Sequence, residues 1–341
     1  MKTMLVSSER QYEVAIVESW LADLQPLISQ RTALAIVPNS IRAQLESQKL
    51  PIEVLEVPNG EEQKSLSNYG IVLEELARRR LDRSALLVGV GGGATTDLTG
   101  FLAATYLRGI DWIAVPTTVA AMVDAAIGGK TGLNLGAGKN LVGAFHSPNR
   151  VIVDLSWLKT LGERDRNAGL AEAVKCGFIA DPRILELFES DPTSNLEEIV
   201  TRAIAVKARV VSADFKESFE RESLNYGHTL GHAIERHSGY SLRHGEAVAI
   251  GMMFAAHLSA RYSGLALGHV ERHERILKKL NLPTTYLGDA WPELYKLMQN
   301  DKKRHGSQVR FVTLPEVGTT SRIDAPSEPE LAKLYRETIA R

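Results

Sequence analysis

Apolar and polar positions along the first 150 residues change period several times. Residues 34–37 form a compact apolar run closed by Pro38-Asn39. Residues 52–57 alternate apolar and acidic side chains and stop at Pro58-Asn59-Gly60. Residues 85–90 are an apolar run ending in glycine, and 112–115 are another, ended by Pro116. Bounded runs of this length predict strands, and 14–17 is a weaker instance. Between them, Leu66, Tyr69, Leu73 and Leu76 recur at helical spacing within 61–80, and 95–106 reads as a further helix. Strands alternating with helices predict βαβ units and a parallel sheet. From about Leu161 the pattern becomes mostly helical, over 167–179, 195–212, 228–237, 246–262 and 270–280, and only 309–314 looks like a strand. The expected organisation is an α/β domain over residues 1–155 and a mostly helical domain over 156–341.

Composition narrows the class. A chain of 341 residues has enough length for two domains and a large core. Its single cysteine excludes an intrachain disulfide framework and favours a reducing, cytoplasmic setting. With 40 basic and 41 acidic side chains, nothing pulls the chain as a whole toward nucleic acid or an anionic membrane. The longest apolar stretches, around 115–127 and 247–256, fall well short of the ~20 residues of a membrane span. Acidic residues interrupt the first twenty positions, so no signal peptide is expected there.

Local chemistry is concentrated in a few segments. The run 86–90 leads into Gly91-Gly92-Gly93, and Ala94-Thr95-Thr96-Asp97 opens the next helix. Glycines at a strand–helix turn let backbone amides converge on a phosphate, although the spacing is not that of the dinucleotide fingerprint. Thr117-Thr118 follows the next strand and can share its crevice. Gly128-Gly129-Lys130-Thr131-Gly132 and Gly136-Ala137-Gly138-Lys139-Asn140 read as two glycine-rich loops whose lysines suit anions. Neither has the P-loop spacing, which argues against nucleotide hydrolysis. His228 and His232 stand four apart on one helical face and can share a metal. Spacing leaves the further ligands open, with His244 and Glu172 among the candidates. Arg108, Lys207, Arg221, Lys302 and Lys303 are basic residues that an anionic substrate would need to draw together.

Taken as blocks, these segments resemble the dehydroquinate synthase family. The resemblance runs from about Asn59 to Leu314. It is carried by Gly91-Gly92-Gly93 with Asp97-Leu98, by Val115-Pro116-Thr117-Thr118, and by Asp124 with Gly128-Gly129-Lys130-Thr131-Gly132-Leu133-Asn134. It continues through Gly138-Lys139-Asn140, Ala168-Gly169-Leu170-Ala171-Glu172, Leu224-Asn225-Tyr226-Gly227-His228-Thr229 with Gly231-His232-Ala233 and Glu235, and His244-Gly245-Glu246. Lys130-Thr131-Gly132 and Leu224-Asn225 are of the dehydroquinate type rather than that of relatives that cyclise other sugar phosphates. Asn59 departs from the family's usual aspartate, and Ala94-Thr95-Thr96 from its usual Val-x-Gly.

The resemblance implies a Rossmann-like NAD-binding α/β domain, an all-α C-terminal domain and an active site in the cleft between them. It implies conversion of 3-deoxy-D-arabino-heptulosonate 7-phosphate to 3-dehydroquinate and phosphate, in the pathway to chorismate and the aromatic amino acids. It implies Zn²⁺ or Co²⁺ on Glu172, His228 and His244, with His232 turned to substrate. NAD contacts would come from Asn59, Gly60, Glu61, Glu62 and Lys64, from Gly93, Ala94, Thr95, Thr96 and Asp97, from Thr117, Thr118, Lys130 and Lys139, and from Trp157, Leu158, Lys159 and Thr160. Catalytic positions would be Lys130, Lys175, His232, Asp124 and Glu217. Substrate anchors would be Arg108, Asn140, Lys207, Arg221, Asn225 and Lys302 or Lys303. Arg108 would serve a neighbouring subunit, which implies a homodimer. The alternatives are a metal-dependent alcohol or glycerol dehydrogenase, which would give net NADH, and another sugar phosphate cyclase.

Overall fold

The computed structural model describes residues 1–215, 221–304 and 309–341, with 301–304 described by backbone alone. Glu217 therefore lies outside the described residues, as do the side chains of Lys302 and Lys303. The chain divides into two compact units. One comprises Met1–Leu161 with Lys207–Phe215, the other Gly162–Val206 with Lys216–Arg341. No local pattern in the sequence signals that residues 207–215 belong with the first unit.

The first unit is built on β1 (Lys2–Ser7), β2 (Gln11–Val17), β3 (Ala33–Pro38), β4 (Glu53–Val57), β5 (Leu86–Gly91), β6 (Asp111–Pro116), β7 (Lys130–Leu135), β8 (Gly138–Phe145) and β9 (Arg150–Asp154). Its helices are α1 (Trp20–Ile28), α2 (Arg42–Gln48), α3 (Leu66–Arg78) and α4 (Gly93–Thr105). Among the described residues the main sheet runs β1-β2-β9-β6-β5-β3-β4. All neighbours are parallel except β1, which pairs antiparallel with β2. Strands β5 and β6 are nearly continuous apolar runs, as a sheet covered on both faces requires. From β3 the chain adds β4 on one side and β5 on the other, so strand order reverses beside β5. In open α/β sheets that is where ligands collect, outside the carboxyl ends of the strands.

Two expectations need correction here. The glycine- and lysine-rich segments around Lys130 and Lys139 are not loops. They form the antiparallel hairpin β7–β8, with Thr131 opposite Ala144 and Gly132 opposite Gly143. Glycines suit this hairpin because its strands approach closely: a Cβ on Gly132 would lie 2.7 Å from the Val142 carbonyl oxygen. The helix expected over 61–80 is in fact a 3₁₀ turn, Gly60–Lys64, followed by α3, whose start is set by Ser65 accepting from the Asn68 amide at 3.2 Å.

The second unit holds α5 (Glu163–Ile179), α6 (Pro182–Ser190), α7 (Leu196–Ala213, which ends in the first unit), α8 (His228–His237), α9 (His244–Tyr262), α10 (Leu267–Lys279), α11 (Trp291–Arg304) and α12 (Glu328–Thr338). The expected strand near 309–314 is β10 (Arg310–Glu316), paired with β11 (Thr319–Asp324). Helix α9 is apolar on all sides through its middle and is buried there, with α5, α8 and α10 packed around it. No helix among the described residues is long and apolar enough to cross a membrane.

Candidate active site

The parallel strands bring four sequence-predicted cofactor segments to one edge of the sheet. Asn59, Gly60, Glu61, Glu62 and Lys64 follow β4. Gly93 to Asp97 follow β5. Thr117 and Thr118 follow β6, and Trp157 to Thr160 follow β9. The Thr117 amide donates to the Gly91 carbonyl at 2.9 Å, which seats the threonine pair against the glycine turn. Thr95 and Thr96 amides both bond the Gly92 carbonyl, so α4 starts at the turn itself. A Cβ on Gly93 would meet Ala125 at 3.0 Å, and one on Gly92 would meet Thr118 at 3.3 Å. The glycines thus admit a close backbone approach and leave amides at a helix start, an arrangement that suits a pyrophosphate. Trp157 and Leu158 are apolar and buried in the core, Trp157 with its ring 5.9 Å from that of Trp20. The Asn59 side-chain oxygen accepts from the Ser40 amide at 2.8 Å, a contact that an aspartate oxygen could make equally.

Lys64 is buried, and its ammonium lies 2.6 Å from Asp97 while also bonding the Asn140 side chain. Asn140 holds a left-handed backbone conformation at φ 55°, and its amide bonds Asn134 at 3.0 Å. Asn140 and the cofactor segment are therefore one polar network. Asp124 is paired with Lys207. Lys130 and Asn140 are exposed, Lys139 half-exposed. Arg108 is exposed on a turn in which both Leu107 (φ 51°) and Arg108 (φ 67°) are left-handed.

In the second unit, helices α5, α8 and α9 converge on a cluster of titratable groups. Glu172 and Lys175 are one turn apart on α5, both 2% exposed, and form an ion pair. His228 begins α8 directly after Gly227, whose φ of 79° suits glycine. His244 begins α9. Donor nitrogens of His228, His232 and His244 all lie within 4.8 Å of one another. Glu172 Oε1 lies 3.6 Å from His228 Nε2 and 3.3 Å from His244 Nε2. Both Glu172 oxygens are buried without a hydrogen bond of good geometry. The opposite ring nitrogens are engaged. His228 Nδ1 faces the Tyr226 carbonyl at 3.2 Å, and His244 Nδ1 faces Glu235 at 2.9 Å. Both rings therefore turn Nε2 toward Glu172. Arg221, on the 3₁₀ turn Arg221–Asn225, is 1% exposed, and Asn225 is half-buried.

Electrostatics follow from this packing. Burial opposes ionisation of Glu172, but Lys175, His228 and His244 outweigh it and hold its carboxyl well below the usual range. Burial and the Lys175 charge push His228 well down, against the pull of Glu172, so its imidazole is neutral. His244 goes the other way, up to about 10: burial opposes its charge, but the facing carboxylates of Glu172 and Glu235 outweigh that cost. A neutral imidazole, a second imidazole that gives up its Nε2 proton to an incoming cation, and a buried carboxylate form a donor set that fits Zn²⁺ or Co²⁺.

The spacing pair His228/His232 and the set Glu172/His228/His244 are both inside this one cluster. Glu235 belongs to the motif block quoted above but is given no role there. Its position was legible, since 228, 232 and 235 are i, i+4 and i+7 on one helix face. Below the cluster, Tyr226 is tied into the core. Its hydroxyl donates to His273 Nε2 at 2.9 Å, while His273 Nδ1 donates to the His269 carbonyl at 2.6 Å and its ring stacks on Phe178. Burial lowers the His273 pKa to about 3. The unfolded chain therefore takes up a proton that the folded chain refuses. Stability contributed here is intact above about pH 6.5 and falls by about 1.4 kcal/mol per pH unit down toward pH 3. Urea midpoints measured from pH 7 to 4 should show this slope, and His273→Gln should reduce it; an equal slope in both proteins would refute the assignment.

Residues 54–168 match the family model described as 3-dehydroquinate synthase N-terminal, and residues 169–304 match 3-dehydroquinate synthase C-terminal. The chain is 46% identical to the 3-dehydroquinate synthase of Thermobifida fusca, covering 95% of this chain and 93% of that one. The chain belongs to the 3-dehydroquinate synthase family. The Streptomyces avermitilis 3-dehydroquinate synthase is likewise 46% identical, covering 96% of this chain and 94% of its own. Among solved structures, a 2-deoxy-scyllo-inosose synthase complexed with carbaglucose-6-phosphate, NAD⁺ and Co²⁺ superposes with a TM-score of 0.88 at 27% identity, covering 99% of this chain and 100% of its own. A probable glycerol dehydrogenase from Sinorhizobium meliloti shares the fold at a TM-score of 0.66 and 16% identity, covering 94% of each chain. Membership in the 3-dehydroquinate synthase family thus rests on near full-length sequence identity, whereas the likeness to the dehydrogenase is one of fold alone.

Proposed function

We infer that this enzyme converts 3-deoxy-D-arabino-heptulosonate 7-phosphate to 3-dehydroquinate and phosphate, using NAD and a divalent metal. The observation that carries the reading is the buried Glu172 carboxylate facing His228 and His244 with Lys175 beside it, in a chain of this family. Glu172, His228 and His244 would hold the metal. Glu172 is buried and within reach of both rings, whereas His232 is exposed at the cluster's rim and is left for substrate. When bound, NAD supplies a reversible oxidation of a substrate hydroxyl, and the metal polarises oxygens at that carbon.

The chain's own residues bind and orient. Amides at the start of α4, with Thr117 and Thr118, would take the dinucleotide's pyrophosphate. Lys130, Asn140, Asn225 and His232 would grip the substrate phosphate. Lys207 and Arg221 would take its carboxylate, Arg221 through a bidentate fork. Asp124, already paired with Lys207, would fix that lysine's ammonium before substrate arrives. Lys175 keeps a positive charge against Glu172, favouring its ionised form at neutral pH. Holding a flexible dianion in one conformation supplies much of the acceleration. Arg108, exposed on its left-handed turn, would reach the site of a second subunit, so a homodimer belongs to this reading. The single cysteine supports a cytoplasmic location.

The test is phosphate release from the heptulosonate phosphate by purified protein with NAD, followed alongside NADH absorbance. Phosphate should appear without net NADH, stop on chelation and return with Zn²⁺ or Co²⁺. Steady NADH from a simple polyol, without phosphate, would move the protein to the dehydrogenase branch.

A further inference from the structure

We propose that Glu235 is a positioning residue that orients His244 and strengthens it as a metal donor, and so sets the metal affinity of the site. The proposal rests on the metal reading above. Glu235 lies on α8 and is 6% exposed, and its Oε2 is 2.9 Å from His244 Nδ1 on α9. A buried carboxylate is costly unless something in the structure uses its charge. His244 is where such a charge has an effect. It is the first residue of α9, and its side chain is 37% exposed. The backbone there is fixed by Glu246, which accepts from the Arg243 amide at 2.9 Å and pairs with Arg164. The ring is not fixed by that backbone, because an imidazole at an exposed helix start can turn about its side-chain bonds. The Glu235 hydrogen bond selects the orientation that leaves Nε2 3.3 Å from Glu172.

His228 shows the contrast. It is buried, and its Nδ1 faces a neutral acceptor, the Tyr226 carbonyl. One imidazole is thus held by packing and a carbonyl, the other by a carboxylate. A carboxylate acceptor polarises the ring more strongly and makes the opposite nitrogen a better donor. The close passage of α8 across α9 makes the reach possible: a Cβ on Gly231 would lie 3.1 Å from Val248 Cα.

Glu235→Gln keeps the shape and removes the charge, and Glu235→Ala removes both. In the full chain, Zn²⁺ affinity is measured by competition with a chromogenic chelator, together with the visible spectrum of the Co²⁺-loaded protein and the thermal midpoint of the metal-free protein. Zn²⁺ binding should weaken by about 10-fold in Glu235→Gln and by up to about 100-fold in Glu235→Ala, with an altered Co²⁺ spectrum. Glu235→Gln should keep a metal-free midpoint close to the parent's, which a loss of fold would not allow. Unchanged Zn²⁺ affinity and Co²⁺ spectrum in Glu235→Gln, in a parent that binds Zn²⁺ normally, would overturn the proposal and leave the metal reading standing. A parent chain that binds no Zn²⁺ would overturn both.

Discussion

Replacing Gly251 with alanine should cost this protein about 3 kcal/mol and take the metal site with it. Gly251 is in the middle of α9 with ordinary helical geometry, so the backbone itself would accept alanine. The obstacle is the neighbouring helix. A Cβ on Gly251 would overlap the carbonyl oxygen of Gly227 and lie 2.9 Å from both the Gly227 carbonyl carbon and the Gly231 amide nitrogen. These are backbone atoms and cannot rotate away. Gly227 is pressed against the same helix one residue further on, where a Cβ would meet the Met252 amide nitrogen at 2.8 Å. To admit the methyl, the start of α8 has to move off α9. His228 follows Gly227 directly, and His244 is on α9, so the movement separates the two imidazoles that face Glu172. The urea midpoint and Zn²⁺ content of Gly251→Ala should therefore fall together. A midpoint equal to the parent's would mean that the two helices are not packed this closely.

Much of this arrangement was legible in the sequence where the signal was local. The run 85–90 into Gly91-Gly92-Gly93 announced a parallel strand and a glycine turn into a helix, because strand burial and glycine geometry are both short-range. The paired histidines announced a metal cluster because four residues make one helical turn. The β7–β8 hairpin was not legible. Its strands are rich in glycine and polar residues, and what makes them strands is mutual pairing of Thr131 with Ala144, thirteen residues apart. The helix face of Glu235 was legible from spacing, but its contact with His244 needed the crossing of α8 and α9. The Asp124–Lys207 pair spans 83 residues, and no periodicity reports a contact of that range. Tyr226 illustrates the same limit in the core. It sits within a motif, yet its hydroxyl partner His273 carries no pattern and looked like an ordinary core histidine. The candidate turns and helix faces are thus local features of the sequence, while the residues that hold them in place emerge only from packing.

Replacing His228 with alanine should abolish tight Zn²⁺ binding and lower turnover by two to four orders of magnitude, the equivalent of several kcal/mol of lost charge stabilisation. The substitution is informative because the fold should survive it. His228 is buried as a neutral imidazole, so its removal strands no charge. Glu172 keeps Lys175 and His244 as partners, and its carboxylate remains compensated. The space left is that of an imidazole at the beginning of a helix, beside the half-exposed His244, where water can enter. Metal content by elemental analysis after dialysis, read beside the urea midpoint, separates a lost ligand from a lost fold. A folded His228→Ala protein that retains one equivalent of Zn²⁺ would exclude His228 as a ligand. It would shift the assignment to His232, the remaining imidazole of the cluster, and with it the division between metal binding and substrate binding proposed for this helix.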